Sequence, residues 1–185
     1  LAGYAFAKLR FAGRQRLMKV LLAGLLIPAQ VTMIPLFGLM KALGLVNTYA
    51  GAIVPAAAGI FGIFLVRQYA LSIPDELIDA ARIDGAGEFR IFRSIIAPLL
   101  VPILVTLGVF TFLGTWNDFM WPLIVLSDRD LQTLPVALAG MSREHVQDVE
   151  MTMAGSVVTV VPVLILFLAL QRQYIQGILM GSVKG

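Results

Sequence analysis

Long uncharged stretches alternate with short basic or acidic ones along this chain. Lys19 and Lys41 bracket 21 residues without a charge, and Lys41 and Arg67 bracket 25. Arg93 and Asp118 bracket 24, and Glu150 and Arg172 bracket 21. A membrane-crossing helix needs about 20 apolar residues at 1.5 Å rise each. The pattern therefore predicts spans over about 20–40, 49–68, 95–118 and 151–171. Residues 1–7 are also apolar, and no charged residue precedes them. They read as the tail of a partial span, so residues upstream of Leu1 are expected to be missing. A polar segment over 72–94 and a loop over 127–150 separate the later spans.

The spans differ in texture. The first holds Pro28 and Pro35, which predicts a bent helix, because proline removes a backbone donor and clashes with the preceding turn. The second holds Gly51, Gly59, Gly62 and Ala56–Ala58, small residues that let helices approach closely. The last is rich in valine and leucine, with Pro162 inside it.

Composition sharpens the class. Of the 185 residues, 59% are hydrophobic and only 14% are charged. An ordinary soluble domain has about 25% charged residues, so disorder and a water-soluble globule are both excluded. There is no cysteine, hence no disulfide or thiolate metal site, and there is one histidine, His145. The charges also have a side. If four spans alternate, residues 8–19, 67–93 and 172–185 share one face and hold 11 of the 14 basic residues. The positive-inside rule makes that face cytoplasmic. The basic balance thus reports topology, and no basic patch interleaved with aromatics points to nucleic acid.

The cytoplasmic segment is the most informative. Ser72 followed by Pro74 and Asp75 resembles a helix start, with an acid in the first turn. Leu77, Ala80, Ala81 and Asp84 mark one helical face. Gly85 sits where a helix would end in the left-handed conformation. A second helix starts near Glu88, with Phe89, Phe92 and Ile96 on one side and Arg90 and Arg93 on the other. An amphipathic helix in lipid headgroups would explain the second helix. It explains the first poorly, because Asp75, Glu76, Asp79 and Asp84 are unfavourable beside anionic lipid.

Asp79-Ala80-Ala81, three residues, Gly85 and Ala86, then Phe92, Ile95 or Ile96, and Pro98 resemble the EAA loop of binding-protein-dependent ABC importer permeases. That motif reads E-A-A, three residues, G, nine residues, I-x-L-P; here Asp79 stands for the glutamate and Ala97 for the leucine. Thr115–Leu123, Thr133-Leu134-Pro135-Val136 and Gly181–Gly185 are similar to the carbohydrate, maltose-permease-like branch. The resemblance runs the whole chain. It implies an all-α, polytopic membrane helix bundle of the type I ABC importer transmembrane domain, N-terminally truncated, with 1–185 a single permease domain. It implies a subunit of a bacterial inner-membrane sugar importer without catalytic residues of its own. No G-x-x-x-x-G-K-[ST] loop is present, so ATP and Mg would be bound by a partner. The implied partners are an ABC ATPase dimer, a second permease subunit, an extracytoplasmic sugar-binding protein and membrane lipid. Asp79, Ala80, Ala81, Asp84, Gly85 and Ala86 would form the ATPase-coupling site.

Trp116, Asn117 and Asp118 admit two readings. They lie at the membrane interface as belt residues, or they face the bundle and border the substrate path. His145 reads as a solvated loop residue, since one histidine with scattered acids makes a poor metal site. A permease for another solute remains an alternative, as does a secondary transporter. The latter often carries ionisable groups at mid-membrane, and the four spans have none at their centres. An intramembrane enzyme would need a nucleophile with a base, or paired acids, at depth; Asp118 stands alone.

Overall fold

The computed structural model describes residues 1–141 and 149–182. His145, the rest of 142–148, and 183–185 lie outside the described residues. Every regular element among the described residues is helical. The chain divides into two compact units, Leu1–Pro28 with Gly59–Gly108 and Ala29–Ala58 with Val109–Gly185.

Three of the predicted spans are interrupted. The first falls on α2 (Arg14–Gly24) and α3 (Ala29–Ala42). Between them Leu25, Leu26 and Ile27 bond to carbonyls only three residues back. This tightened turn ends at Pro28, which has no N–H to continue the ladder. Pro35 is accommodated inside α3. The second span comprises α4 (Tyr49–Ile53), a tight turn at Val54–Ala56 holding Pro55, and α5 (Ile60–Leu71). The third is bent by 71° between Glu88–Leu99 and Val101–Trp116. The last lies within one unbroken helix, Val149–Ser182, with Pro162 inside it. Tyr49–Leu71 and Val149–Leu170 are each long and apolar enough to cross a membrane, as is each bent pair if counted as one span.

In the first unit α1 (Ala2–Lys8) packs on α5. Gly3 permits the approach: a Cβ there would lie 2.7 Å from two Val66 side-chain carbons. Arg67 Nε donates to the Phe6 carbonyl at 3.3 Å. Around this pair lie Tyr4, Ala70, Ile73, Ile78, Ala81, Ile91, Ile96 and Leu100, all buried. In the second unit Met40, Trp121, Val125 and Leu126 form the core, under α3, α4 and α10 (Met120–Val125). Trp121 Nε1 donates to the Gly51 carbonyl at 3.1 Å. A Cβ at Gly51 would run into the Leu45 carbonyl. Asn47 adopts φ 59°, and its Oδ1 accepts from the N–H groups of Ser127 (3.0 Å) and Asp128 (2.8 Å). Asparagine suits this role because it tolerates the left-handed region and brings its own acceptor.

Candidate functional site

The helix α6 (Asp75–Ile83) starts one residue after Pro74. Ser72 belongs to the preceding helix, not to this one: its Oγ donates to the Tyr69 carbonyl at 2.7 Å and ends α5. The first turn of α6 carries Asp75 and Glu76, the charge sign its positive end favours. Lys8 reaches this end from α1. Its Nζ donates to Asp75 Oδ1 and to the Ile73 carbonyl, each at 2.5 Å. The hydrogen bond from Lys8, reinforced by its charge, holds the Asp75 carboxyl below the ordinary carboxylate range.

The helix ends in a glycine turn. Gly85 has φ 77°, its N–H donates to the Arg82 carbonyl at 3.0 Å, and the Ala86 N–H donates to the Ala81 carbonyl at 2.9 Å. These two bonds are the Schellman pattern, which satisfies the last carbonyls of a helix and requires a left-handed residue. Beyond the turn, α7 (Glu88–Ile91) begins with an acid. Arg82 clamps the two helices together. Its Nη2 lies 2.8 Å from Glu88 Oε1, and its Nη1 lies 3.2 Å from Asp79 Oδ1. The hydrogen bond to Glu88 raises the Arg82 pKa, against a smaller opposing effect of burial.

Burial divides the predicted coupling residues. Asp79, Ala80, Asp84 and Gly85 are exposed, Ala86 is half-buried, and Ala81 is buried. The face that α6 turns inward carries Ile78 and Ala81, one turn apart; of the face marked by Leu77, Ala80, Ala81 and Asp84, only Ala81 is covered. Ile78 supplies the bulk, so it sets which side is covered. Ala81 is small enough to lie under it and faces the unit's own core rather than a partner. Leu77 and Ile83 are exposed at 44% and 87%, an apolar outer surface on a short charged helix.

The predicted side for Phe89 also changes. Phe89 is 72% exposed, whereas Ile91 and Ile96 are fully buried. The cause is a widened turn over Phe92–Ile96, in which the Ala97 N–H donates to the Phe92 carbonyl. Pro98 follows directly; its ring clashes with the carbonyl four residues back, and a widened turn gives that carbonyl room. The five-residue spacing then puts Ile91 and Ile96 on one face.

The second candidate group lies in the other unit. Trp116 ends α9 (Val101–Trp116), and its Nε1 donates to the Thr159 carbonyl at 3.0 Å. Phe112 stacks on its ring at 5.6 Å between centroids. Asn117 Nδ2 donates to the Leu113 carbonyl at 2.8 Å, finishing α9. Asp118 Oδ1 accepts from the Trp121 N–H at 3.4 Å as α10 begins. Each residue thus has a local bond that shapes the break between α9 and α10. Asn117 is exposed and Asp118 half-buried, so both keep polar atoms open. Sequence reasoning missed Lys8, Arg82 and Glu88. Their pairings with Asp75 and with each other join separate helices, and no local pattern announces them.

Residues 1–179 match the family of the binding-protein-dependent transport system inner membrane component. The arabinooligosaccharides transport system permease protein AraQ of Halalkalibacterium halodurans is 45% identical over 185 residues, covering 100% of this chain and 66% of that protein. The lactose transport system permease protein LacG of Rhizobium radiobacter is 39% identical over 184 residues, covering 100% of this chain and 67% of that one. The chain therefore spans about two thirds of the length of these relatives. The crystal structure of a bacterial ABC transporter involved in the import of the acidic polysaccharide alginate superposes with a TM-score of 0.80 at 27% identity, over 92% of this chain and 65% of that one. The all-α build is that of an ABC importer permease, as the sequence pattern and motif predicted. With a family match over 1–179 and a 45% identical relative along its full length, this chain belongs to the binding-protein-dependent transport system inner membrane components.

Proposed function

We propose that this chain is the membrane-spanning permease subunit of an ATP-driven, binding-protein-dependent sugar importer. The observation that carries the reading is the 45% identity, along the whole chain, to a permease named for arabinooligosaccharide transport. In this reading α6 is the element that an ATPase subunit grips. Its exposed Asp79, Ala80, Leu77 and Ile83 form the contact, and the buried Ile78 and Ala81 tie the helix to α1, α5 and the widened turn behind it. Removing an aliphatic side chain such as Ile78 from water is worth about 1.5–3 kcal/mol, so the core anchors α6 more firmly than exposed ion pairs do. A push on α6 is then passed on as a rigid-body movement.

The chain performs no chemistry; ATP and Mg belong to the ATPase dimer. A second permease subunit completes the path, and a sugar-binding protein delivers the solute. Trp116, Asn117 and Asp118 border that path. An amide and a carboxylate suit sugar hydroxyls, and an indole face suits a pyranose ring. Residues 8–19, 67–93 and 172–185 face the cytoplasm of a bacterial inner membrane.

The test is reconstitution of the full-length protein in proteoliposomes with its second permease, ATPase and binding protein. Uptake of a labelled oligosaccharide should require ATP, the ATPase and the binding protein together. Uptake that persists without the ATPase would sink the importer reading in favour of a secondary transporter. Uptake of another solute, with the sugar excluded, would overturn the substrate class alone. A cysteine at Gly87 should react with an impermeant reagent only after permeabilisation; labelling in intact cells would reverse the orientation.

A further inference from the structure

We infer that the turn between α1 and α2 is a binding site for the headgroup of an anionic phospholipid. Arg10, Phe11, Gly13, Arg14, Gln15 and Arg16 line an open cleft of about 630 Å³. Three of the lining residues are arginines, and Lys19 follows one turn later on the same helix.

Among the described residues no ion pair answers this charge. The sequence contains no Asp or Glu before Asp75. The ion pairs among the described residues are Lys8–Asp75, Arg82–Asp79 and Arg82–Glu88. Asp75 feels the charge of Arg10, yet its hydrogen bond goes to Lys8. Arg14 donates to the Leu9 carbonyl at 3.0 Å, a bond that fixes its position without neutralising it. The placement is also unfavourable for the chain by itself. Arg14 and Arg16 stand in the first turn of an eleven-residue helix, whose N-cap Gly13 offers no side-chain acceptor. A helix start favours negative charge and repels cations. An anion in the cleft turns both liabilities into attractions.

The surroundings select which anion. Phe11, Leu17 and Val20 are exposed at 41%, 48% and 68% beside the arginines. A free phosphate has no use for them. A phospholipid does: its phosphodiester meets the guanidinium groups while the glycerol and upper acyl chain cover the apolar side chains. The turn also stands on the N-terminal side of the uncharged stretch Val20–Met40. Basic residues immediately cytoplasmic of a span attract anionic lipid. The inference rests on the orientation proposed above only for the leaflet, and it holds for any transported solute.

The test is native mass spectrometry of the full-length protein in detergent, titrated with phosphatidylglycerol or with phosphatidylcholine of the same acyl chains. Wild type should retain phosphatidylglycerol preferentially. Arg14→Gln with Arg16→Gln should weaken that retention by about five-fold per arginine, roughly 25-fold for the pair. Phosphatidylcholine retention and the Lys41→Gln control should not change. Should the double variant fail to fold, Arg14→Lys with Arg16→Lys should keep most of the preference, and high salt should erode it in wild type. Equal retention in wild type and the glutamine variant would overturn the proposal, as would a preference insensitive to salt. Displacement of the lipid by inorganic phosphate beyond that caused by sodium chloride at the same ionic strength would assign the cleft to a free anion. A variant that keeps its lipid but loses its ATPase subunit would assign it to a protein partner; either result refutes the lipid site.

Discussion

Gly85 offers the cleanest perturbation of the coupling segment. It sits at φ 77°, and a Cβ built there meets nothing within 4 Å. Substitution therefore creates no clash, and its whole cost is the backbone conformation. For alanine that cost is about 1 kcal/mol, and for a β-branched residue more. Asparagine tolerates the left-handed region and should cost less than alanine. About 1 kcal/mol corresponds to a roughly five-fold loss in the closed population of the turn. The bond that reports on it is the Ala86 N–H to the Ala81 carbonyl, 2.9 Å long. Hydrogen exchange of the Ala86 amide in the full-length protein should accelerate about five-fold in Gly85→Ala, less in Gly85→Asn and more in Gly85→Val. Amides near Ile78 should be unaffected, because the core holds that side of α6 independently of the turn. In the reconstituted importer, stimulation of ATPase activity by binding protein should fall in the same order. Exchange that is unchanged in Gly85→Ala, or equal in the alanine and asparagine variants, would refute the argument that backbone conformation sets the turn.

Ala80→Trp and Ala81→Trp should separate docking from folding: the first leaves thermal stability unchanged but weakens ATPase attachment, whereas the second overpacks the core and costs about 1–3 kcal/mol. Equal melting temperatures for both in detergent would contradict the inward placement of Ala81. Trp121→Phe removes the bond to the Gly51 carbonyl and leaves a buried acceptor unpaired, so its unfolding free energy should drop by about 1–3 kcal/mol; a loss confined to the helix Val149–Ser182 in hydrogen exchange would argue against this. The Asp75 carboxyl, held low by Lys8, stabilises the α1–α6 contact above the ordinary aspartate pKa of about 3.9, and that contribution disappears as pH falls through the depressed value. Lys8→Met should move the Asp75 titration midpoint, followed by carboxyl NMR, back up toward the ordinary value; an unmoved midpoint would dissociate the two residues.

The helical, apolar build and the glycine turn were legible in the sequence because their causes are local. A stretch free of charge is apolar whatever its neighbours do, and a left-handed helix end needs glycine wherever it occurs. The bend of the first span, 101° at Leu25–Pro28, was expected from its prolines; the interruptions at Val54–Ala56 and at Leu100 were not located, although prolines stand close to both. Pro35 and Pro162 sit inside continuous helices. In an apolar segment proline permits a break, and the packing of the freed carbonyls decides whether one forms. The inward face of α6 was not read from the sequence, for a related reason. Alanine fits equally under a core and against a partner, so Ala80 and Ala81 carry no directional signal of their own. Ile78, which does carry one, was passed over because the small residues drew the pattern.

Leu77 and Ile83 stay exposed on a helix whose Ile78 and Ala81 are covered. An isolated nine-residue helix is marginal in water, so α6 depends on what it packs against on the covered side. Its outer apolar residues add nothing to the folding of this chain and expose surface that a partner can bury. A mutation at Ile78 should therefore destroy both the helix and attachment, whereas Leu77→Ser and Ile83→Ser should leave the amide exchange of α6 intact and lower only the affinity for the ATPase. If the two serine substitutions loosen the helix as much as Ile78→Ala does, the outer face is structural, and the rigid transmission proposed for α6 loses its contact surface.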